Sequence, residues 1–179
     1  MDLSKLKTSD WVIGASGLVL LIASFLDWFT VSIDDDSGLG LGGEVGAGNG
    51  WDVGFFWAGI PVLIGLAMIA IVAIRAFSPE TNLPDLPIGW GQVLFIAGVV
   101  AAVIVLLKLL IGEDGAPEFG IEVSRAFGLF LASLAAIGLA VGGFLKWQEE
   151  RSGAGLASGT FPQGGEGAPP PPPPGGSTF

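Results

Sequence analysis

The 179-residue sequence contains no cysteine, no histidine and no tyrosine. These absences exclude disulfides, thiolate nucleophiles and imidazole bases, together with the usual protein ligands of zinc, copper and haem. Bases are scarce as well, with only seven Lys or Arg against 17 Asp or Glu. Nucleic-acid binding is therefore not expected, because it needs clustered Lys and Arg side chains to neutralise the phosphates. The composition predicts a protein without enzymatic activity, metal or cofactor.

Long apolar runs dominate what remains, since hydrophobic residues make up 51% of the chain and the mean hydropathy is +0.71. The run 88–111 contains a single charged residue, Lys108. A helix needs roughly 20 apolar residues to cross a hydrocarbon layer of about 30 Å, so this run predicts a membrane span. Three further runs complete the set of predicted spans, at 11–31, 53–74 and 126–147. The predicted fold is an all-α membrane protein, with four transmembrane helices in an up-down-up-down bundle.

Polar segments flank the bundle, which the runs place at residues 11–151. Residues 1–10 form a short cytoplasmic N-terminus, and residues 152–179 form a tail rich in Gly, Ser and Pro. This tail has too few apolar residues to offset the entropy of ordering, so it is predicted to be disordered. Its consecutive prolines, 169–174, favour an extended polyproline II rod, which acts either as a spacer or as a motif for a cytoplasmic partner.

Basic residues are distributed unevenly between the two sets of span ends. One set is flanked by Lys5, Lys7, Arg75, Lys146 and Arg151. The other set has only Lys108 and Arg125, beside two acidic loops that contain no base, at 32–52 and 112–124. The positive-inside rule therefore predicts a multi-pass plasma-membrane protein with both termini in the cytoplasm. All six tryptophans lie near predicted span ends, which is typical of the aromatic belts at membrane interfaces.

Three charged residues at the outer ends of the spans are candidate buried charges: Asp27, Lys108 and Arg125. Asp27 and Lys108 lie inside predicted spans, at depths that match within roughly 2 Å if both segments are helical. We expect Asp27 to pair with Lys108 or with Arg125. A regular square bundle favours Arg125, because the first and third helices are then diagonal. The alternative for Lys108 is snorkelling, in which the ammonium reaches the headgroups without a protein partner.

Small residues on the fourth span predict close packing of helix backbones. One ridge has the spacing i, i+4 and consists of Gly128, Ala132, Ala136 and Ala140, and a second consists of Gly138 and Gly142. The third span offers Ala97, Gly98, Ala101 and Ala102 in return. We expect these residues to make contacts within the bundle, and a homo-oligomer interface is the alternative use of the same motif.

The sequence Phe25-Leu26-Asp27-Trp28-Phe29 closes the first predicted span. In this motif and in the Gly/Pro-rich C-terminal tail, the chain resembles small uncharacterised four-span integral membrane proteins of actinobacteria, which often have Phe-Leu-Pro-Trp here. Asp27 stands at the position of that proline. In layout, the chain is also similar to a mycobacterial envelope-antigen family with four spans and a Pro-rich tail, which implies a role in envelope growth or division. Neither resemblance supplies a functional residue.

These observations predict a non-enzymatic accessory or scaffold component of a membrane or cell-envelope complex. Its partners would be the lipid bilayer, a larger membrane complex contacted through the helices, and a cytoplasmic protein contacted through the tail. The alternative is a small transporter or an oligomeric channel. Transport needs polar residues facing a cavity near mid-membrane, whereas the centres of these spans contain aliphatic residues, Gly, Ala and an occasional Ser.

Overall fold

The computed structural model describes residues 6–33, 43–77, 87–114 and 121–158. Its helices are α1 (Thr8–Ala23), the one-turn α2 (Gly50–Val53), α3 (Gly59–Phe77), α4 (Trp90–Ile111) and α5 (Phe127–Ser158). Its strands are β1 (Phe29–Ile33), β2 (Gly43–Gly46) and β3 (Ile121–Arg125). The predictions for Lys5, for the rod at 169–174 and for the rest of the tail beyond Ser158 lie outside the described residues.

The four long helices pack in a ring in the order α1, α3, α4, α5, so that α1 and α4 lie on a diagonal. Neighbouring helices are antiparallel. The amide of Gly91 at the start of α4 donates to Glu150 in the C-terminal part of α5, which also pairs with Arg75 near the end of α3, and the amide of Gly128 at the start of α5 donates to Asp27 O beyond the end of α1. One end of the ring, called the sheet end below, carries the strands. The opposite end, called the terminal end, holds the start of α1 and the last turns of α5.

Three of the described helices are long and apolar enough to cross a membrane: Gly59–Phe77, Trp90–Ile111 and the part of α5 at Phe127–Gly153. The fourth, α1, is apolar but has only 16 residues. The molecule is thus mostly helical, as predicted. The helical stretches agree with the predicted second, third and fourth spans to within a few residues, apart from the start of α3 at Gly59 and the end of α5 at Ser158.

The predicted first span, 11–31, is wrong at its C-terminal end, because α1 stops at Ala23. Two side chains donate hydrogen bonds to backbone carbonyls of its last turn. The Ser24 hydroxyl donates to Leu21 O at 2.6 Å, and the Trp28 indole donates to Ala23 O at 2.9 Å. The following residues, Phe29–Ile33, are aromatic or β-branched at four of five positions and favour a strand. They form β1 instead of a further turn of helix.

The strands form one antiparallel sheet in the order β2-β1-β3 over the sheet end. Val31 in the central strand lies opposite Val45 of β2 and Val123 of β3. The prediction of an all-α protein is wrong here, because the acidic loops supply the outer strands. At the other end of the chain, α5 continues to Ser158, into the segment from 152 that the sequence predicts to be disordered.

The core of the bundle is apolar and close-packed. Its largest fully buried side chains include Ile13, Leu20, Met68, Leu94 and Leu129. The Ser133 hydroxyl, which is also buried, donates to Leu129 O at 2.8 Å, so this polar group is satisfied inside its own helix. The helices therefore enclose a packed interior, with their polar contacts concentrated at the two ends.

Candidate functional site

Lys108 lies on the last turn of α4 and is buried, with 5% of its surface exposed. Its ammonium pairs with the Glu113 carboxylate and donates to Gly112 O at 3.0 Å. The rings of Phe29 and Trp57 each lie 5.3 Å from Nζ, a distance at which the face of an aromatic ring attracts a cation. Lys108 is therefore buried, as predicted. Its ammonium has protein partners, so the structure does not show the snorkelling alternative.

This arrangement ties the sheet to the bundle. Phe29 belongs to the central strand and is buried, whereas Trp57 precedes α3, so one cation contacts three parts of the chain. A buried ammonium is costly without compensation, and here an ion pair, a carbonyl and two rings supply it. The site positions β1 relative to α3 and α4.

Arg125, the last residue of β3, caps the C-terminus of α4. Its Nε donates to Leu109 O at 2.6 Å and its Nη2 donates to Leu110 O at 3.1 Å. Both carbonyls belong to the last helical turn, which lacks intrahelical donors and carries the negative end of the helix dipole. Arg125 is exposed, so the prediction that it is a buried charge is wrong. Its role here is to attach the edge strand β3 to α4.

Asp27 is exposed, and the prediction that it pairs with Lys108 or Arg125 is wrong among the residues described. The depth argument assumed helix as far as Val31, whereas Asp27 lies in the turn after α1. There its backbone bridges to Asn49 and accepts from the Gly128 amide at 3.0 Å. Asp27 and Arg125 do line the same open cavity of about 470 Å³.

Trp28 has a role that the sequence did not indicate. Its position suggests an interfacial belt, but the ring is fully buried between the bundle and the sheet. An added Cβ at Gly50 would lie 2.8 Å from this ring, so only glycine fits at the start of α2. The neighbouring Trp51 is exposed and donates to the Ser24 hydroxyl at 3.1 Å, as an interfacial tryptophan can.

The predicted packing residues of α5 face the rest of the bundle. Ala132 and Ala136 are fully buried and Ala140 is partly buried. Added Cβ atoms at the three glycines would meet atoms of α1 or of the turn that follows it: Gly128 meets Asp27 O, Gly138 meets Ser16 and Gly142 meets Ile13. These residues thus make contacts within the molecule, as expected. The three glycines, however, face α1 and its following turn, whereas the predicted third span approaches α5 at Gly98 and Ala140.

The terminal end contains ion pairs that the sequence analysis did not anticipate. Lys146 pairs with the buried Asp10, and Arg75 pairs with Glu150 at 2.7 Å. Glu150 also accepts the amide of Gly91 at the start of α4, at 2.7 Å. The basic residues on which the predicted membrane orientation rests therefore also form ion pairs between helices. The run Gln148-Glu149-Glu150 was the available signal, because it places acids beside those bases.

Carboxylates are frequent at the sheet end, and Asp52, Glu113 and Asp114 line a cavity of about 360 Å³ beneath β1 and β3. Within the described ranges, no three acidic side chains are arranged so that they could hold a metal ion. Asp52 accepts the Asn49 amide at 3.0 Å and Glu113 pairs with Lys108, so two of the three carboxylates have structural partners.

The site is thus a set of contacts that attach the small sheet to the helical bundle. Lys108 holds β1, Arg125 holds β3, and Trp28 fills the space between sheet and helices. None of these contacts presents a nucleophile beside a base. Comparison with known proteins adds no further constraint, since no family model, curated protein or solved structure matches the chain.

Proposed function

We propose that this chain is a multi-pass plasma-membrane protein that serves as a non-enzymatic accessory or scaffold component of a membrane or cell-envelope complex. The observation that carries this proposal is the attachment of the sheet to the bundle through Lys108, Arg125 and Trp28. Lys108 and Arg125 donate hydrogen bonds to backbone carbonyls of the chain, and Trp28 is buried between the sheet and the helices. An arrangement of this kind presents a surface in fixed orientation, which is what a scaffold requires.

The sheet offers a contact surface of defined character. All four residues of β2 are exposed, and Val45 on this strand is a large apolar side chain open to solvent. Glu44 and Glu122 both lie in register with Ser32 of β1, so they share the face of the sheet opposite to Val45, and the sheet combines an acidic face with an apolar residue on its edge strand. Such a surface suits a partner with an apolar contact residue and nearby bases.

A transporter or channel is less well supported. Ion and proton pathways need ionisable or polar groups near the middle of the membrane. Lys108 lies at one end of α4 and has a counter-charge, and the Ser133 hydroxyl bonds within its own helix. The described core consists of apolar side chains, mostly Leu, Val and Ala, with Met68 in the bundle and Trp28 and Phe29 at the sheet end.

The orientation that belongs to this proposal is testable with single cysteines, since the chain has none of its own. Gly43 at the sheet end and Gly153 at the terminal end are suitable because an added Cβ at either position meets no atom within 4 Å. Gly43→Cys should react with a membrane-impermeant maleimide in intact cells, and Gly153→Cys should react only after the cells are opened. The reverse pattern would place both termini outside.

The accessory role predicts a stable partner. Affinity purification in mild detergent should recover a defined complex larger than the chain and its copies. Val45→Lys at the sheet end should reduce recovery of the partner at least severalfold, because it replaces the exposed apolar side chain of the edge strand with a cation. Gln148→Lys makes the same change of charge at an exposed position of the terminal end and should leave recovery unchanged. A homo-oligomer without other proteins would contradict the accessory role and favour the channel.

A further inference from the structure

Three aromatic side chains of α4 and α5 are in contact near the terminal end, and they are called the aromatic column below: Phe95, Phe144 and Trp147. The rings of Phe95 and Trp147 are stacked, with an angle of 7° between their planes and 5.6 Å between their centroids. The Phe144 centroid lies 5.5 Å from that of Phe95 and 6.1 Å from that of Trp147. Phe144 is 38% exposed and the other two residues are partly exposed, so the column forms part of the outer surface of the bundle.

Arg151 lies at the end of this column, one turn beyond Trp147 on α5. Its Cζ is 5.0 Å from the centroid of the Trp147 ring, within the distance at which the face of an aromatic ring attracts a guanidinium. Arg151 is exposed, and no ion pair between described residues includes it. Every other base that the structure describes has a carboxylate or carbonyl partner: Lys7, Arg75, Lys108, Arg125 and Lys146. Among the described residues, Arg151 is therefore the cation that lacks a counter-charge.

The cation and the column follow the order of the parts of a phospholipid. Arg151 and Phe144 are seven residues apart on α5, which corresponds to about 10 Å along the helix axis. Phe144 lies farther into the apolar stretch Phe127–Gly153, whereas Arg151 lies near its end. A phosphate bound by the guanidinium would therefore have its glycerol beside the indole of Trp147 and the first methylenes of an acyl chain beside the phenyl rings.

We propose that Arg151 and the aromatic column bind one anionic phospholipid, with the phosphate on the guanidinium and an acyl chain against Phe95 and Phe144. The planar fork of an arginine can donate two parallel hydrogen bonds to a phosphate. An acidic protein segment would supply the same counter-charge but would leave the exposed Phe144 ring uncovered, whereas a lipid supplies both the anion and the apolar cover. The inference goes beyond the accessory role and requires only that the bundle lies in a bilayer.

Native mass spectrometry of the detergent-purified protein tests the proposal, with phosphatidylglycerol and phosphatidylcholine of identical acyl chains as probes. The wild type should retain one phosphatidylglycerol and show no matching retention of phosphatidylcholine, whose trimethylammonium already neutralises its phosphate. Arg151→Gln should weaken the retention of phosphatidylglycerol about fivefold, the effect of one base at an anionic surface. Phe144→Leu removes ring surface from the column and should weaken retention as well. The deacylated headgroup, glycerophosphoglycerol, should not displace the lipid.

Two matched controls separate binding at the column from general effects on the bundle. Lys7→Gln removes a base of the terminal end that already has Glu149 as its partner, and Phe130→Leu truncates an exposed ring near the other end of α5. Both should retain phosphatidylglycerol as the wild type does. Wild-type retention by Arg151→Gln would overturn the proposal. So would displacement of the lipid by glycerophosphoglycerol, which would assign the guanidinium to a free phosphate ester.

Discussion

Gly98→Ala is expected to destabilise the bundle by about 2 kcal/mol, near the middle of the range for overpacked cores. An added Cβ at Gly98 would lie 2.7 Å from Leu139 O and 2.8 Å from Ala140 Cα. These atoms belong to the backbone of α5, so they cannot move aside as a flexible side chain would. An added Cβ at Gly143 of α5 would likewise lie 2.7 Å from Leu94 O of α4. A single methyl group must therefore push the two helices apart.

The control is Gly14→Ala, the same substitution on α1 where no atom lies within 4 Å of the new methyl group. It should leave stability unchanged or raise it by about 0.5 kcal/mol, because alanine favours a helix over glycine. Unfolding of the two variants in mixed micelles, followed by tryptophan fluorescence, measures the difference. Equal stability of Gly98→Ala and wild type would mean that α4 and α5 are not in backbone contact.

The helices could be predicted from the sequence because their signal is local and long. A run such as 88–111 is long enough to cross a bilayer and apolar on nearly every face, so it favours a transmembrane helix. The small residues Gly138 and Gly142 indicate close packing by their spacing alone. The first run differs, because the apolar residues after Ala23 form a short stretch whose periodicity does not distinguish a helix from a strand. The choice depended on distant partners: β1 pairs with residues from 43 and from 121 onward.

The site was predictable in part for the same reason. The burial of Lys108 follows from its place in an apolar run, but its partner Glu113 lies in the loop beyond the helix, where sequence alone does not fix a side chain. The error for Asp27 followed from the error in α1, because two depths can be compared only between helical segments. Arg125 gave no signal of its capping role, since the carbonyls that it binds are 15 and 16 residues away.

Glu113→Gln should destabilise the protein by about 2 kcal/mol, because it leaves the Lys108 ammonium buried without its counter-charge. This value is below the 3–5 kcal/mol or so that is typical of fully buried pairs, since the Glu113 side chain is 44% exposed and water screens part of the interaction. Lys108→Met keeps the length of the side chain and removes the charge. It should change stability by less than about 1 kcal/mol, because Phe29 and Trp57 can pack against a thioether as well as against an ammonium.

The double variant distinguishes an ion pair from two independent effects. Once Lys108 is Met, Glu113→Gln should cost almost nothing, which gives a coupling energy of about 2 kcal/mol between the two positions. The same cycle between Asp27→Asn and Lys108→Met should give zero, because Asp27 is exposed and Lys108 is paired elsewhere. A coupling of Lys108 to Asp27 instead of Glu113 would restore the pairing that the sequence suggested, and would require α1 to extend beyond Ala23 towards the sheet end.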